Sequence, residues 1–270
     1  MELVPVVTRL RAAGCVFAEE EAALLAEAAS SPAELAGMVE RRAQGLPLEQ
    51  VVGWAQFSGT RVAVEPGVFV PRRRTEHLVR EAVRKAAPGA VVVDLCCGTG
   101  ALGLAVATAV RDTELHAADV DPAAVRCARR NVEPAGGRVH EGDLFAPLPH
   151  DLRGRVDVLL ANVPYVPSHD LELLPAEARL HEARVALDGG ADGLDVLRRV
   201  AAQAPAWLAP GGHVLVEVSD RQIGTAAALV AAAGLDPTVS RCEDLGATVL
   251  VATRPTAGAA APPVRRASRG

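Results

Sequence analysis

The chain has 270 residues, half of them hydrophobic but only 3% aromatic, and a formal net charge of −5. That length can bury a substantial core in one large domain or in a full-sized domain with a smaller partner, and the acidic balance argues against a general grip on nucleic acid. The five cysteines are odd in number and lack C-x-x-C spacing, which leaves neither a disulfide framework nor a zinc site; no secretory signal or membrane-length apolar run is read, so a cytoplasmic location is expected.

The first part is rich in Ala and Leu at helical spacing: Val4, Val7 and Leu10, then Ala22, Leu25 and Ala28, then Leu35, Met38 and Val39. Ser31 before Pro32, with Glu34 three residues on, predicts an N-cap with its capping box. A small helical domain is expected over residues 1–50. Trp54 to Phe57, a turn at Ser58, Gly59 and Thr60, and the alternating Val62 and Val64 predict a hairpin. Pro66, Gly67 and Pro71 then punctuate a connector, so residues 51–72 join the helices to a main domain over 73–254. Arg72, Arg73 and Arg74 in that connector read either as a solvated turn or as a local anionic contact.

From Val91 onward short apolar runs alternate with helical stretches. Strands are predicted at Val91 to Leu95, Glu114 to Ala118, Arg138 to Glu141, Val156 to Ala161 and His213 to Val218, with a last pair near Pro237 to Arg241 and Ala247 to Thr253. Helices starting near Ala101, Pro122, Gly193 and Gln222 fall between most of them. This alternation predicts an α/β fold with a mostly parallel sheet covered on both faces. The segment 255–270, with Pro262, Pro263 and arginines, is expected to be disordered.

Gly98, Thr99, Gly100, Ala101, Leu102 and Gly103 match G-x-G-x-x-G, and Asp119 follows at the end of the second main-domain strand, where a carboxylate can hold ribose hydroxyls. Alone, this suits a nicotinamide dehydrogenase as well as a methyltransferase. Asp94, ending the first strand, would suit a cationic methionine moiety better than a pyrophosphate. Asp143 ends the third strand and could accept from an adenine amino group while Leu144 packs on the ring. Ligands in open α/β sheets bind at such strand ends, so S-adenosylmethionine is the expected cofactor, over Asp94, Cys96, Gly98, Thr99, Gly100, Asp119, Asp143, Leu144 and Asn162.

Asn162, Val163, Pro164 and Tyr165 close the apolar run from Val156: an amide, a rigid bend and an aromatic ring suited to a small planar polar group. With the connector Pro66 to Arg72, Thr75 and Glu76, the loop Asp94 to Gly100, and the run His181, Glu182, Ala186 to Gly190 and Asp192 to Leu194, the chain resembles the HemK-type protein N5-glutamine methyltransferases. The resemblance implies a Rossmann-like, seven-stranded class I methyltransferase domain. It also implies methyl transfer to the glutamine amide of a protein, a peptide chain release factor, with Asn162 Oδ1 and the Val163 carbonyl accepting from the two amide hydrogens and Tyr165 packing on the amide plane. Arg72 and Thr75 join the tetrapeptide as expected substrate-binding residues.

Three departures from the family pattern stand out: Val163 where proline is usual, Cys96 in place of the first loop glycine, and Arg73 and Arg74 in place of proline and glutamate. Cysteine at a backbone position needing positive φ would be strained. Three rivals share parts of these signals: an amino-methyltransferase acting on a nucleic-acid base, an S-adenosylmethionine-binding subunit without activity, and a nicotinamide oxidoreductase. Neither membrane association nor direct nucleic-acid binding is expected.

Overall fold

The computed structural model describes residues 3–256, so most of the segment read as a disordered tail lies outside it. The described chain opens on α1 (Val4–Ala12), α2 (Ala18–Ala28), α3 (Pro32–Ala43) and the short α4 (Leu48–Val52). The apolar positions of these helices meet each other: Leu10, Ala22, Leu25, Leu35, Met38 and Val39 form a core of their own. Ser31 caps α3 as expected, its side chain accepting from the Glu34 amide at 3.2 Å. The return half of the box is displaced by one residue, with Glu34 accepting from the Ser30 amide at 2.8 Å.

The predicted hairpin is β1 (Trp54–Phe57) paired antiparallel with β2 (Thr60–Ala63). Ser58 and Gly59 both take positive φ, the geometry that matches the twist of two paired strands. The chain continues through α5 (Glu76–Lys85), β3 (Val91–Leu95), α6 (Ala101–Ala109), β4 (Glu114–Asp119), α7 (Pro122–Val132), β5 (Arg138–Glu141) and β6 (Val156–Ala161). It closes with α8 (Ala176–His181), α9 (Asp195–Trp207), β7 (Leu208–Glu217), α10 (Ile223–Ala232), β8 (Asp236–Cys242) and β9 (Ala247–Thr253).

These strands build one seven-stranded sheet in the order β5-β4-β3-β6-β7-β9-β8, parallel except where β9 pairs antiparallel with both β7 and β8. Its central strands are apolar on both sides, β3 being buried along its whole length, because helices cover both faces and leave two hydrophobic clusters, one per face. The chain leaves β3 toward β4 on one side and returns to β6 on the other, so a crevice opens above the carboxyl ends of β3 and β6. Among the described residues no helix is long and apolar enough to cross a membrane.

Candidate active site

A cavity of about 660 Å³ fills that crevice. From β3 and its following turn it is lined by Asp94, Cys96, Gly98 and Thr99; from the end of β4 by Asp119, Val120 and Asp121; from the end of β6 by Asn162, Val163, Pro164 and Tyr165; and from the connector by Arg72, Arg74 and Thr75. Residues the sequence separates by up to 93 positions, Arg72 and Tyr165, thus share one wall.

The turn after β3 is wound tightly enough to present backbone amides. The Asp119 carboxylate organises it, accepting from Gly98 N at 2.8 Å with one oxygen and from Asp121 N at 2.9 Å with the other. A carboxylate has about four lone-pair sites, so two remain for a ligand. Burial raises the pKa of Asp119 against the help of these amides. Asp94, 1% exposed, accepts from Gly103 N at 2.9 Å in the first turn of α6, and burial pushes its pKa up to about 7. Cys96 does take positive φ, +53°, as the loop requires. Its thiol is pushed up by burial and then by the neighbouring Asp119, Asp94 and Asp143 carboxylates, which makes it inert as a nucleophile.

Three expected cofactor residues do not reach the cavity lining. Gly100, at φ +74°, serves packing: a side chain there would meet Val132 and Ala128 of α7. Asp143 pairs with Arg199 on α9, close enough to Cys96 to act on its thiol, and is not among the lining residues. Leu144 is buried in the hydrophobic cluster on that face of the sheet. Sequence spacing put these residues at strand ends; it does not tell which way each side chain turns.

The tetrapeptide is clamped from behind. The Tyr165 carbonyl accepts from Gln222 Nε2 at 2.8 Å, and Gly189 lies so near the Pro164 carbonyl that a Cβ would stand 2.7 Å from its oxygen. Val163 is buried at 2% exposure in the sheet core. Among the described residues three buried side-chain atoms have no hydrogen-bond partner: Asn162 Oδ1, Thr75 Oγ1 and Glu217 Oε2. Asn162 and Thr75 both line the cavity. A buried polar atom left open costs about 1–3 kcal/mol, so its persistence at a cavity wall points to a ligand that completes it.

Arg72, expected to meet substrate, is largely engaged already: Nη2 contacts both oxygens of Glu182 at 2.7 Å, and its guanidinium stacks over Phe69. Glu182 also accepts from Val70 N at 3.2 Å, so the pair fastens the connector to the segment that follows the tetrapeptide. Burial raises the Glu182 pKa in spite of Arg72. Arg74, read from the sequence as part of a solvated turn or an anionic contact, lines the cavity and pairs with Glu217, a residue not picked out from the sequence. Glu217 ends β7 as Asp94 and Asp119 end or nearly end their strands, so the acidic-strand-end signal would have found it.

Residues 59–192 match the family described as Methyltransferase small domain. The release factor glutamine methyltransferase of Geobacter sulfurreducens is 41% identical over 72% of this chain and 69% of its own length. The 4-amino-L-phenylalanine/4-methylamino-L-phenylalanine methyltransferase of Streptomyces pristinaespiralis is 36% identical over 73% of this chain and 69% of its own. Among solved structures, a methyltransferase from Pyrococcus furiosus superposes with a TM-score of 0.55 at 17% identity, covering 73% of this chain and 90% of that one.

Proposed function

The chain belongs to the release factor glutamine methyltransferase family, and on that premise we propose that it moves a methyl group from S-adenosylmethionine to the side-chain amide nitrogen of a glutamine in a peptide chain release factor. The observation that carries this reading is Asn162 Oδ1, a buried acceptor without a partner among the described residues, on a residue that lines the cavity beside Asp94, Gly98 and Asp119.

The lining fits the donor. Two carboxylates flank the amides of the β3 turn, Asp94 matching a cationic amino acid moiety and Asp119 offering lone pairs to hydroxyls. Cys96, Gly98 and Thr99 complete that side, and Asp143 beside Cys96 is kept as a candidate for the adenine edge if it exchanges Arg199 for that partner. When bound, the donor supplies an electrophilic methyl on a positively charged sulfur.

A glutamine amide is a weak nucleophile because its nitrogen lone pair is shared with the carbonyl. Asn162 Oδ1 and the Val163 carbonyl accept from its two hydrogens and hold the nitrogen in line; Tyr165 covers the amide plane, and Arg72 and Thr75 border the entry. As the new N–C bond forms, the bond between that methyl and the donor sulfur would break with its electron pair left on the sulfur, and the nitrogen gives up one hydrogen as a proton to solvent. Orientation of this kind removes up to ~7–11 kcal/mol from a barrier.

Residues 1–50 and the 51–72 connector would receive the release factor beside the catalytic unit over 73–254. Gln50 supports this: it bonds Val68 O at 3.0 Å and His181 O at 3.1 Å, tying the helices to both borders of the cavity.

One relative acts on a free aromatic amine, which makes arylamine methylation the second reading. Incubation with methyl-labelled donor and either a release factor or 4-aminophenylalanine separates them, with the labelled atom located by mass spectrometry. Label on the release-factor glutamine is expected, and Asn162→Ala should cut turnover ~10²-fold or more while the donor still binds. Label only on the free amine, or on nucleic acid, overturns the reading.

A further inference from the structure

We propose that Arg74 and Glu217 are positioning residues that lock the ring of Tyr165 across the acceptor mouth, an inference that rests on the reading of Tyr165 as the group packed against the substrate amide. Arg74 comes from the turn before α5, Tyr165 from the loop after β6 and Glu217 from the end of β7, three elements brought together only by the fold.

The three side chains close a ring of hydrogen bonds. Arg74 Nε donates to Glu217 Oε1 at 2.9 Å, Arg74 Nη2 donates to the Tyr165 hydroxyl, and that hydroxyl donates to the same Glu217 oxygen at 3.3 Å. Arginine has no acceptor and stays charged, so the direction of each bond is determined. Burial and the Glu217 charge push the tyrosine pKa up to about 12, which keeps its proton available to Glu217. The Arg74 guanidinium also lies over the Tyr165 ring, 5.8 Å from its centroid.

Anchoring at the hydroxyl decides how the ring is presented. A tyrosine held only at its backbone can turn about its ring axis and swing about χ1; one whose oxygen is tied to both a cation and an anion is restricted in the swing and must break bonds to move. Glu217 is itself fixed, its side chain only 4% exposed and its backbone in register with Val249 of β9. Arg74 is the movable member, with its side chain 47% exposed at the cavity wall. The arginine at this position thus compensates a buried carboxylate and braces the Tyr165 ring at the cavity wall.

Tyr165 is the single tyrosine of the chain, so incorporation of fully 13C-labelled tyrosine gives a spectrum of this residue alone. The hydroxyl lies on the ring axis, so the tether acts on the χ1 swing and not on ring flips; in the intact protein the three-bond couplings to the two Hβ atoms should be those of one fixed χ1 rotamer. Arg74→Met and Glu217→Gln should each move them toward the averaged values of a mobile χ1. In steady-state kinetics both variants should lose roughly tenfold in kcat with the donor KM unchanged, and neither should add a further loss in a Tyr165→Phe background. Arg74→Met alters an exposed side chain and serves as the measure should Glu217→Gln fold poorly. Averaged χ1 couplings in the unaltered protein, unchanged couplings in Arg74→Met, or kcat losses that persist in full without the hydroxyl would overturn the proposal. The spectrum needs no acceptor, so it tests the lock separately from the release-factor reading.

Discussion

At Val163 the tetrapeptide departs from its family, and the fold shows why the departure is tolerated. The residue is buried at 2% exposure, and it is β-branched and precedes Pro164, two influences that each favour extended backbone. In the proposed mechanism the Val163 carbonyl is therefore aimed by packing in place of a pyrrolidine ring. Val163→Pro should retain turnover within ~3-fold of the parent or raise it, since proline restricts Asn162 without changing the carbonyl. A steep fall in a methyl-transfer assay would show that the valine side chain, not the backbone, is what the site needs. Cys96 is a different case. Its left-handed backbone costs a non-glycine residue roughly 1–2 kcal/mol, while glycine loses ~0.5–1 kcal/mol more in backbone entropy on folding. Cys96→Gly should stabilise the protein by up to ~1 kcal/mol in urea unfolding, and clear destabilisation would mean that the thiol packs more usefully than its backbone strains.

Among the elements, the stretch from the end of β6 to the start of α9 does most to shape the site. It carries the tetrapeptide, folds back through α8 along the cavity wall, and ends on Gly193, where a Cβ would overlap the Tyr165 carbonyl oxygen and Gln222 Nε2. Gly193→Ala must push the tetrapeptide or Gln222 aside, and Gly193 also has φ +75°. Misplacement by about 1 Å can cost ~10²-fold in rate, so turnover should fall by that order while donor binding, which relies on the β3 turn, is largely kept. Equal turnover in the variant would show that Gly193 does not set the tetrapeptide. The motifs of this stretch are legible in the sequence, but its partners and those of its neighbours are not. The strands β3, β4, β6 and β9 were readable from apolar runs, and Asn162 to Tyr165 from its chemistry. The Arg72–Glu182 pair joins residues 110 apart, and Arg74 meets Glu217 across 143, distances over which no periodicity or spacing operates. Asp143 was legible as an acid at a strand end but not as the partner of Arg199, because that depends on where α9 packs.

For the molecule as a whole, the buried Asp94 carboxyl carries an electrostatic cost that pH reveals. Asp94 is buried beneath the β3 turn, its pKa raised to about 7 from 3.8, with desolvation the largest cause and the amide of Gly103 only partly compensating. Since the unfolded chain releases this proton near its ordinary value and the folded chain holds it, Asp94 favours folding below about pH 4. That contribution is lost as pH climbs to about 7, a change on the order of 4 kcal/mol. A cationic ligand moiety at Asp94 favours the ionised form and returns much of the loss. The gap in Tm between donor-loaded and donor-free protein should therefore widen from pH 5.5 to 7.5, and donor affinity should rise over the same interval. Asp94→Asn has no proton to lose, so in that variant both trends should flatten. A Tm gap that is independent of pH in the unaltered protein would mean that Asp94 is ionised in the free enzyme and does not sense the charge of its ligand.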